Sequence, residues 1–595
     1  MNDNLYIVEG ENFKFKNEFD KNSKVIFLDK IQNGFQNHFS LLSNFQEKQD
    51  FLREKWLIFQ EQVFKKIKIK LDKDEDYNYL LCNLFFEASP NKINSIYKFF
   101  KIYLVLDYIK KEKIKNVYIL NASHEIKNFF NSNINNFTFS FEIINTQKIN
   151  FSIKKNIKKL EKENFIFSIL SCLVGEYKKK KQKLFFKKSK SSKVVFSYYY
   201  PGGNSFENEF LSRYFEDVSY LLNDSYNWLF QYVGDISKLN HENKLIKTNT
   251  NSSGFLDAYF SMTDFQKIIS KFFRVRKKLN AIDINYIFVF EKLNYSCLLK
   301  SDWLTSISIL LLKLLIFEKK ISNFFIINTQ VKEILYLMEF QPWEQILNKV
   351  SLKYNIKTKG VIHSIARPNT MNYYHSKIIH PYFYLPSFAG VNSDFSKSLL
   401  LKNGFNKDQI LKIEAQRYNY LDGIQDEVNY EKLKNNKSVL IFTSNIAKET
   451  IELLEVFASS GVKFKKVYIK EHHLLPVNSI IKSLNNTFPS YEIIKCTASE
   501  AFRYSDIVYI ANGSSVLLES VVKKKVTVSL ISLSTLPIPA VAKAENLYFA
   551  HDEASLKKIF HELDFNFINN GSLSSEKNHL YLNKELNLWR EFLKK

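Results

Sequence analysis

The chain has 595 residues and is short of those that bend or staple a fold, with Gly 14, Pro 10 and Cys 4 against Phe 54 and Tyr 33. The cysteines, Cys82, Cys172, Cys297 and Cys496, are scattered, with no C-x-x-C pair and no metal-ligand spacing. Each lies in or beside an apolar stretch, which predicts reduced, buried thiols and excludes a disulfide framework or a zinc site. Met1 to Lys14 carries acidic residues and no apolar centre, so no signal peptide is expected. The strongest apolar run, Trp303 to Phe317, is broken by Lys313 and is too short to span a bilayer. It reads as a buried helix with Ser301-Asp302 as its cap. No G-x-G-x-x-G is present, which removes the dinucleotide fingerprint. Abundant Lys, Asn, Ile and Phe match the codon bias of an AT-rich genome, and no function follows from them. The expectation is a soluble cytoplasmic protein of two or three domains.

Charge is present in excess of one sign. Lys+Arg 85 against Asp+Glu 61 gives a net charge of +24, which favours anionic partners. Without a recognition helix, a zinc motif or an aromatic RNP strand, nucleic acid is not the expected one. Lysines concentrate in Lys178-Lys179-Lys180-Lys181-Gln182-Lys183 and continue through Lys187, Lys188, Lys190 and Lys193. One reading is a solvated linker; the other is peripheral contact with an anionic inner membrane, where each lysine contributes about 1 kcal/mol.

Hydrophobic periodicity divides the chain into an N-terminal α/β extension (1–177), the basic linker (178–193), a Rossmann-like middle domain (194–421), a polar linker (422–437) and a Rossmann-like C-terminal domain (438–595). Expected N-terminal elements include strands Leu5–Val8, Lys24–Leu28 and Asn116–Leu120 and a helix Phe45–Lys66. In the middle domain the pattern predicts a strand at Val194–Tyr198, a helix Glu207–Leu222 after the Tyr200–Asn204 turn, a strand at Asn323–Ile327 and a helix near Val331–Phe340. Gly404 marks the stop of a helix around Phe395–Asn403. In the last domain strands and helices alternate from Ser438 to Leu530, which predicts a doubly wound parallel sheet.

Ligands of such sheets bind outside the carboxyl ends of the strands. Two polar turns stand there: Lys470-Glu471-His472-His473 after one strand and Asn512-Gly513-Ser514-Ser515 after another. Ammonium, imidazole, hydroxyls and backbone N–H groups suit a phosphate. Ser514 and Ser515 also read as plain helix caps. Glu519 suits either a ribose contact or a pairing with Lys523 at i+4. Thr497-Ala498-Ser499-Glu500 is a capping box whose position also suits a nucleobase. Upstream, His363, Arg367, Glu414, Arg417 and Asp422 lie nearest the strand ends and hinge, and none is singled out as the base a hydroxyl acceptor needs. Tyr200–Asn204 and Glu207 have similar weight.

From about Leu385 onward these residues resemble GT-B glycosyltransferases of bacterial surface-carbohydrate synthesis, in particular bacterial sialyltransferases and capsule-type Kdo transferases. There an HP motif and a Ser-Ser or Ser-Thr motif hold cytidine monophosphate. Lys470-Glu471-His472-His473 stands at the first, with His473 in place of the proline, and Gly513-Ser514-Ser515 at the second. Ile413 to Leu421 is similar to the EALRY-LYL stretch of a family of surface carbohydrate biosynthesis proteins. The resemblance implies a GT-B fold and a metal-independent transfer of a CMP-activated acidic sugar (Kdo or a nonulosonic acid) to a glycan or lipid-linked glycan, with no cofactor. His472, Asp422 and Glu414 are the catalytic candidates. Lys470, His472, His473, Gly513, Ser514, Ser515, Glu519 and Thr497 are the donor-binding ones. A UDP- or GDP-sugar or a CDP-polyol is the alternative donor, and a non-catalytic scaffold the remaining rival.

Overall fold

The computed structural model describes residues 4–9, 24–29, 38–39, 41–90, 92–93, 95–144, 168–179, 191–201, 210–239, 241–242, 244, 253–422, 438–472, 475–484, 488–532, 535–541, 543–562 and 580–595. Three parallel sheets organise them, with five, seven and six strands. The first spans Asn4–Val8 to Ser140–Ile144, the second Lys193–Tyr199 to Ile410–Lys412, and the third Ser438–Phe442 to Leu547–Ala550. Numbered in chain order within each sheet, the strands run 3-2-1-4-5, 3-2-1-4-5-6-7 and 3-2-1-4-5-6. The chain therefore reverses direction between strands 1 and 4 in every sheet, which opens a crevice at the carboxyl ends there. The N-terminal extension is itself Rossmann-like.

Buried runs explain the central strands. Val508 to Ile510 and Val526 to Val528 are enclosed on both faces, as parallel strands under helices must be. The same property misleads in the middle domain. Glu333–Leu337 is strand 4 of its sheet, where a helix was expected, and its continuous burial leaves no alternation to read. Asn323–Ile327 is the end of the helix Leu311–Ile327, not a strand, and the buried Asn328 side chain closes it on Phe324 O at 2.9 Å. Ser301 and Asp302 lie inside the helix Ser296–Thr305 and cap nothing. The expected helix Glu207–Leu222 is present only as Val218–Ser225; Glu207 and the Gly-rich turn at 202–204 lie outside the described residues. Gly404, at φ +114°, does stop the helix Asp394–Asn403.

One continuous core runs through the N-terminal and middle units. Trp56, Phe59, Phe85, Phe99 and Phe100 of the first pack with Phe288, Phe290, Tyr295 and Trp303 of the second. Asn78 Nδ2 donates to Tyr384 Oη at 3.2 Å across the same junction. The basic segment is anchored at both ends. Lys179 pairs with Glu176 at 3.3 Å and with the buried Asp257 at 3.5 Å. Lys193 opens strand 1 of the middle sheet. The lysines from 180 to 190 lie outside the described residues.

The C-terminal unit has its own core around Ile441, Leu454, Tyr509 and Val528. The chain then leaves it: the helix Asn587–Lys594 buries Trp589 and Phe592 against Phe215 and Trp228 of the middle unit. The domain expected to end at 595 thus returns its last residues to its neighbour. Two doubly wound sheets facing across a cleft are the expected GT-B arrangement, carried here beside a third Rossmann-like sheet. No helix among the described residues is long and apolar enough to cross a membrane.

Candidate functional site

The carboxyl ends of the first and third sheets open onto one cleft of ≈ 720 Å³, and loops of the middle unit form its remaining wall. In the C-terminal sheet strand 1 ends at Phe442 and strand 4 at Ala511. The turns that follow, Thr443 to Ile446 and Gly513 to Val516, both line the cavity. They flank the crevice that the strand order creates. Strand 2 adds Lys470, Glu471 and His472. His472 N donates to Thr443 Oγ1 at 3.0 Å and Glu471 Oε2 accepts from Val477 N at 3.1 Å, which fixes this turn on the sheet. Lys470 Nζ donates to Glu471 O at 3.1 Å. His473 lies outside the described residues. Thr497 lines the cleft and caps its helix through Glu500, so both of its expected roles fit one position.

Gly513 approaches Glu449 closely: a Cβ there would stand 3.1 Å from Glu449 Oε1. Burial raises the Glu449 pKa, partly offset by the Ser444 and Thr535 hydroxyls. This acid and the turn it touches share the cavity wall.

The opposite wall is basic. Arg213, Arg367 and Arg417 of the middle unit all line the cleft. Two of them reach the Ser-Ser turn: Arg367 Nη1 donates to Gly513 O and Arg417 Nη2 to Ser515 Oγ, each at 3.3 Å. Arg367 Nε is buried with no hydrogen-bond partner among the described residues. Burial holds its pKa below the ordinary guanidinium value. For Arg417 burial acts downward too, but Tyr418, Glu519 and Glu216 outweigh it and raise the pKa. Beneath them His363 packs edge-on to Tyr214 at 5.5 Å between ring centroids. Burial first, then Arg417 and Arg213, push its pKa down to about 3, so it is a neutral spacer under a cationic surface.

Three expected site residues sit elsewhere. Glu414 is 1% exposed and off the cleft. Its Oε1 accepts from Leu588 N at 2.7 Å and its Oε2 from Trp589 N at 2.8 Å, so it caps the returning helix. Asp422 ends the short turn Gln416–Leu421, its N–H donating to Asn419 O at 3.0 Å, and does not line the cleft. Glu519 is 4% exposed behind the site, where it accepts from Tyr420 Oη. Burial raises its pKa, opposed by Arg417, Tyr420 and Lys523. Its charge acts on Arg417, and it does not line the cleft. Sequence reasoning had named Arg367 and Arg417 without a role and missed Arg213 altogether. It also missed the N-terminal contribution, Glu9, Asp29, Lys98 and Lys101, because nothing marks a lone acid after a short strand as a cleft residue. Cys496 lines the cleft as well, whereas Cys82 is buried.

No family model matches the chain, and no curated protein matches it. Among solved structures it is similar to S. aureus MnaA with UDP, at 9% identity and TM-score 0.39, covering 68% of this chain and 96% of that one. Acinetobacter baumannii MurG aligns at 12% identity and TM-score 0.37 over 68% of this chain and 99% of its own. A glycosyltransferase from Rickettsia africae aligns at 13% identity and TM-score 0.35 over 68% and 100%. Likenesses this distant assign no activity.

Proposed function

We propose that the chain is a glycosyltransferase that holds a nucleotide-activated sugar in this cleft and passes the sugar to a hydroxyl acceptor. The observation that carries the reading is the bridge between the walls, Arg367 to Gly513 O and Arg417 to Ser515 Oγ. A phosphate laid on the Ser514–Ser515 turn meets two guanidinium groups and the Lys470 and His472 turn at once. As the sugar departs, the phosphate gains charge. Cations already fixed in place then stabilise the transition state more than the ground state.

We further propose that the sugar is acidic and CMP-linked. Three guanidinium groups, Arg213, Arg367 and Arg417, stand on one wall, and beyond the phosphate a sugar carboxylate is a second planar anion for them to pair with. A UDP- or GDP-sugar, whose diphosphate carries its own second charge, is the alternative. The acceptor is a glycan, free or lipid-linked, and the lysines between 178 and 193 would draw the protein to an anionic lipid surface.

The test is a melting-temperature screen with CMP, CDP, UDP and GDP. A ligand at about 100 times its Kd stabilises the folded state by about 2.7 kcal/mol. CMP or CDP should shift the transition. A shift by UDP or GDP alone makes the cytidine part wrong and leaves the transferase reading standing. No shift by any nucleotide removes the whole reading.

A further inference from the structure

We propose that the N-terminal domain is part of the catalytic apparatus, with Glu9 as the group that takes the proton from the acceptor hydroxyl and the Asp29–Lys101 pair as its positioning partner. This rests on the transferase reading above and adds the residue that reading lacks.

The placement follows from topology. Glu9 directly follows strand 1 of the first sheet, and Ser123 N, just after strand 4, donates to its Oε2. Glu9 therefore bridges the crevice where the strand order reverses, the position at which the third sheet offers its Ser-Ser turn. Asp29 stands after strand 2 of the same sheet. Lys101 is 6% exposed, donates to Asp29 Oδ1 at 2.8 Å and lies over the Tyr97 ring at 4.0 Å. Glu9, Asp29, Tyr97 and Lys101 line the same cleft as Arg367, Arg417 and Ser515. Because the N-terminal and middle units share one core, this wall is held fixed relative to the arginines.

The chemistry of the cluster is that of a proton acceptor and not of an anion site. Burial raises the Glu9 pKa, Asp29 raises it further, and the Ser123 N–H and Lys101 draw it back. Lys98 on the same helix, paired with Glu125 at 3.4 Å, Lys448 from the C-terminal unit and Glu452, whose charge acts on Tyr97, also stand about this part of the wall. Burial lowers the Lys101 pKa, and Asp29 and Glu9 resist that shift. A carboxylate whose basicity is lifted toward neutrality suits general-base work. In the transfer, Glu9 accepts the hydroxyl proton and the acceptor oxygen bonds to the anomeric carbon. The bond from that carbon to the phosphate oxygen breaks, and its electron pair leaves on the nucleotide beside Arg367 and Arg417. The proton on Glu9 is then lost to solvent.

The experiment uses the full chain, with CMP-, UDP- and GDP-linked sugars as donors and water as acceptor, and reads nucleotide release against pH. In the wild type, release should fall as pH drops through the Glu9 pKa, because only the carboxylate accepts a proton. Glu9→Gln should lower release by about 10²–10³ and abolish that acidic limb, while the melting shift by nucleotide is retained. Lys101→Met removes a charge that lowers the Glu9 pKa, so it should move the limb to higher pH, a readout that survives if Glu9→Gln fails to fold. Wild-type rate and pH profile in Glu9→Gln, or an unmoved limb in Lys101→Met, overturns the proposal and spares the transferase reading. Nucleotide binding without release of any nucleotide by the wild type overturns both the base and the transfer.

Discussion

Glu414 separates a structural role from a catalytic one, and its geometry gives the size of the effect. Both carboxylate oxygens accept backbone N–H groups, from Leu588 at 2.7 Å and Trp589 at 2.8 Å, and the Glu414 carbonyl accepts the Trp589 indole N–H at 3.0 Å. Hydrogen bonds to a charged group contribute about 1.5–3 kcal/mol each. A carboxylate at the start of the helix Asn587–Lys594 adds about 0.3–1 kcal/mol through the helix dipole. Glu414→Ala removes both bonds and leaves two N–H groups facing a void. The two bonds and the helix-dipole contribution together make the loss about 3–7 kcal/mol in the transition that releases Trp589. Glu414→Gln keeps one oxygen as acceptor and turns an NH₂ against the second N–H, so it should cost roughly half as much. Urea unfolding followed by tryptophan fluorescence reads the change, since Trp589 is 1% exposed when packed. Folded Glu414→Gln should bind nucleotide as the wild type does. If instead unfolding is unchanged while turnover collapses, the carboxylate faces the reactants and the capping argument is wrong.

Arg417→Met should lower turnover by about 10²–10³, the range for losing one donor to a developing oxyanion, while Ser515→Ala should cost less because Arg417 remains. Equal losses in steady-state assays of the two would mean the hydroxyl, not the guanidinium, carries the phosphate. His375 is wedged between Phe340 and Phe383, at 4.6 and 5.0 Å between centroids, and burial pushes its pKa down to about 3. A depressed histidine gives stability that is full above its unfolded pKa of about 6.5 and is lost as pH falls toward the folded value. From pH 7 to roughly pH 5 the wild type should lose about 2 kcal/mol relative to His375→Phe in urea titrations. A difference that stays constant with pH would show that His375 does not titrate in this window.

The C-terminal side of the cleft was legible in the sequence because local signals agree there. The alternation expected from Ser438 to Leu530 is present, with the helix Ala447–Ser459 and the strand Lys466–Lys470 among its elements, and the Gly513 to Ser515 turn stands at a strand end. The middle unit was less legible. Ile334 to Tyr336 is buried on every side, and an apolar run without alternation does not tell strand from helix. Glu414 looked catalytic because an acid near a hinge has no local mark that separates a cap from a base. Its partners, Leu588 and Trp589, lie far along the chain. The Glu9 wall was invisible for the same reason: its neighbours across the cavity are hundreds of residues away in sequence.

The first two units share one core, and a second cluster ties the third sheet to them: Ile365, Ala415, Tyr418 and Leu421 pack with Leu440, Phe442, Val508 and Ile510. The chain enters the C-terminal sheet at Ser438 and has returned to the middle unit at Leu588 and Trp589, which Glu414 caps. The block formed by the first two units therefore carries both the arginines and Glu9. A protein shortened to begin at strand Lys193–Tyr199 would bare Phe288, Phe290, Tyr295 and Trp303 to water. Such a fragment should aggregate rather than behave as a trimmed enzyme.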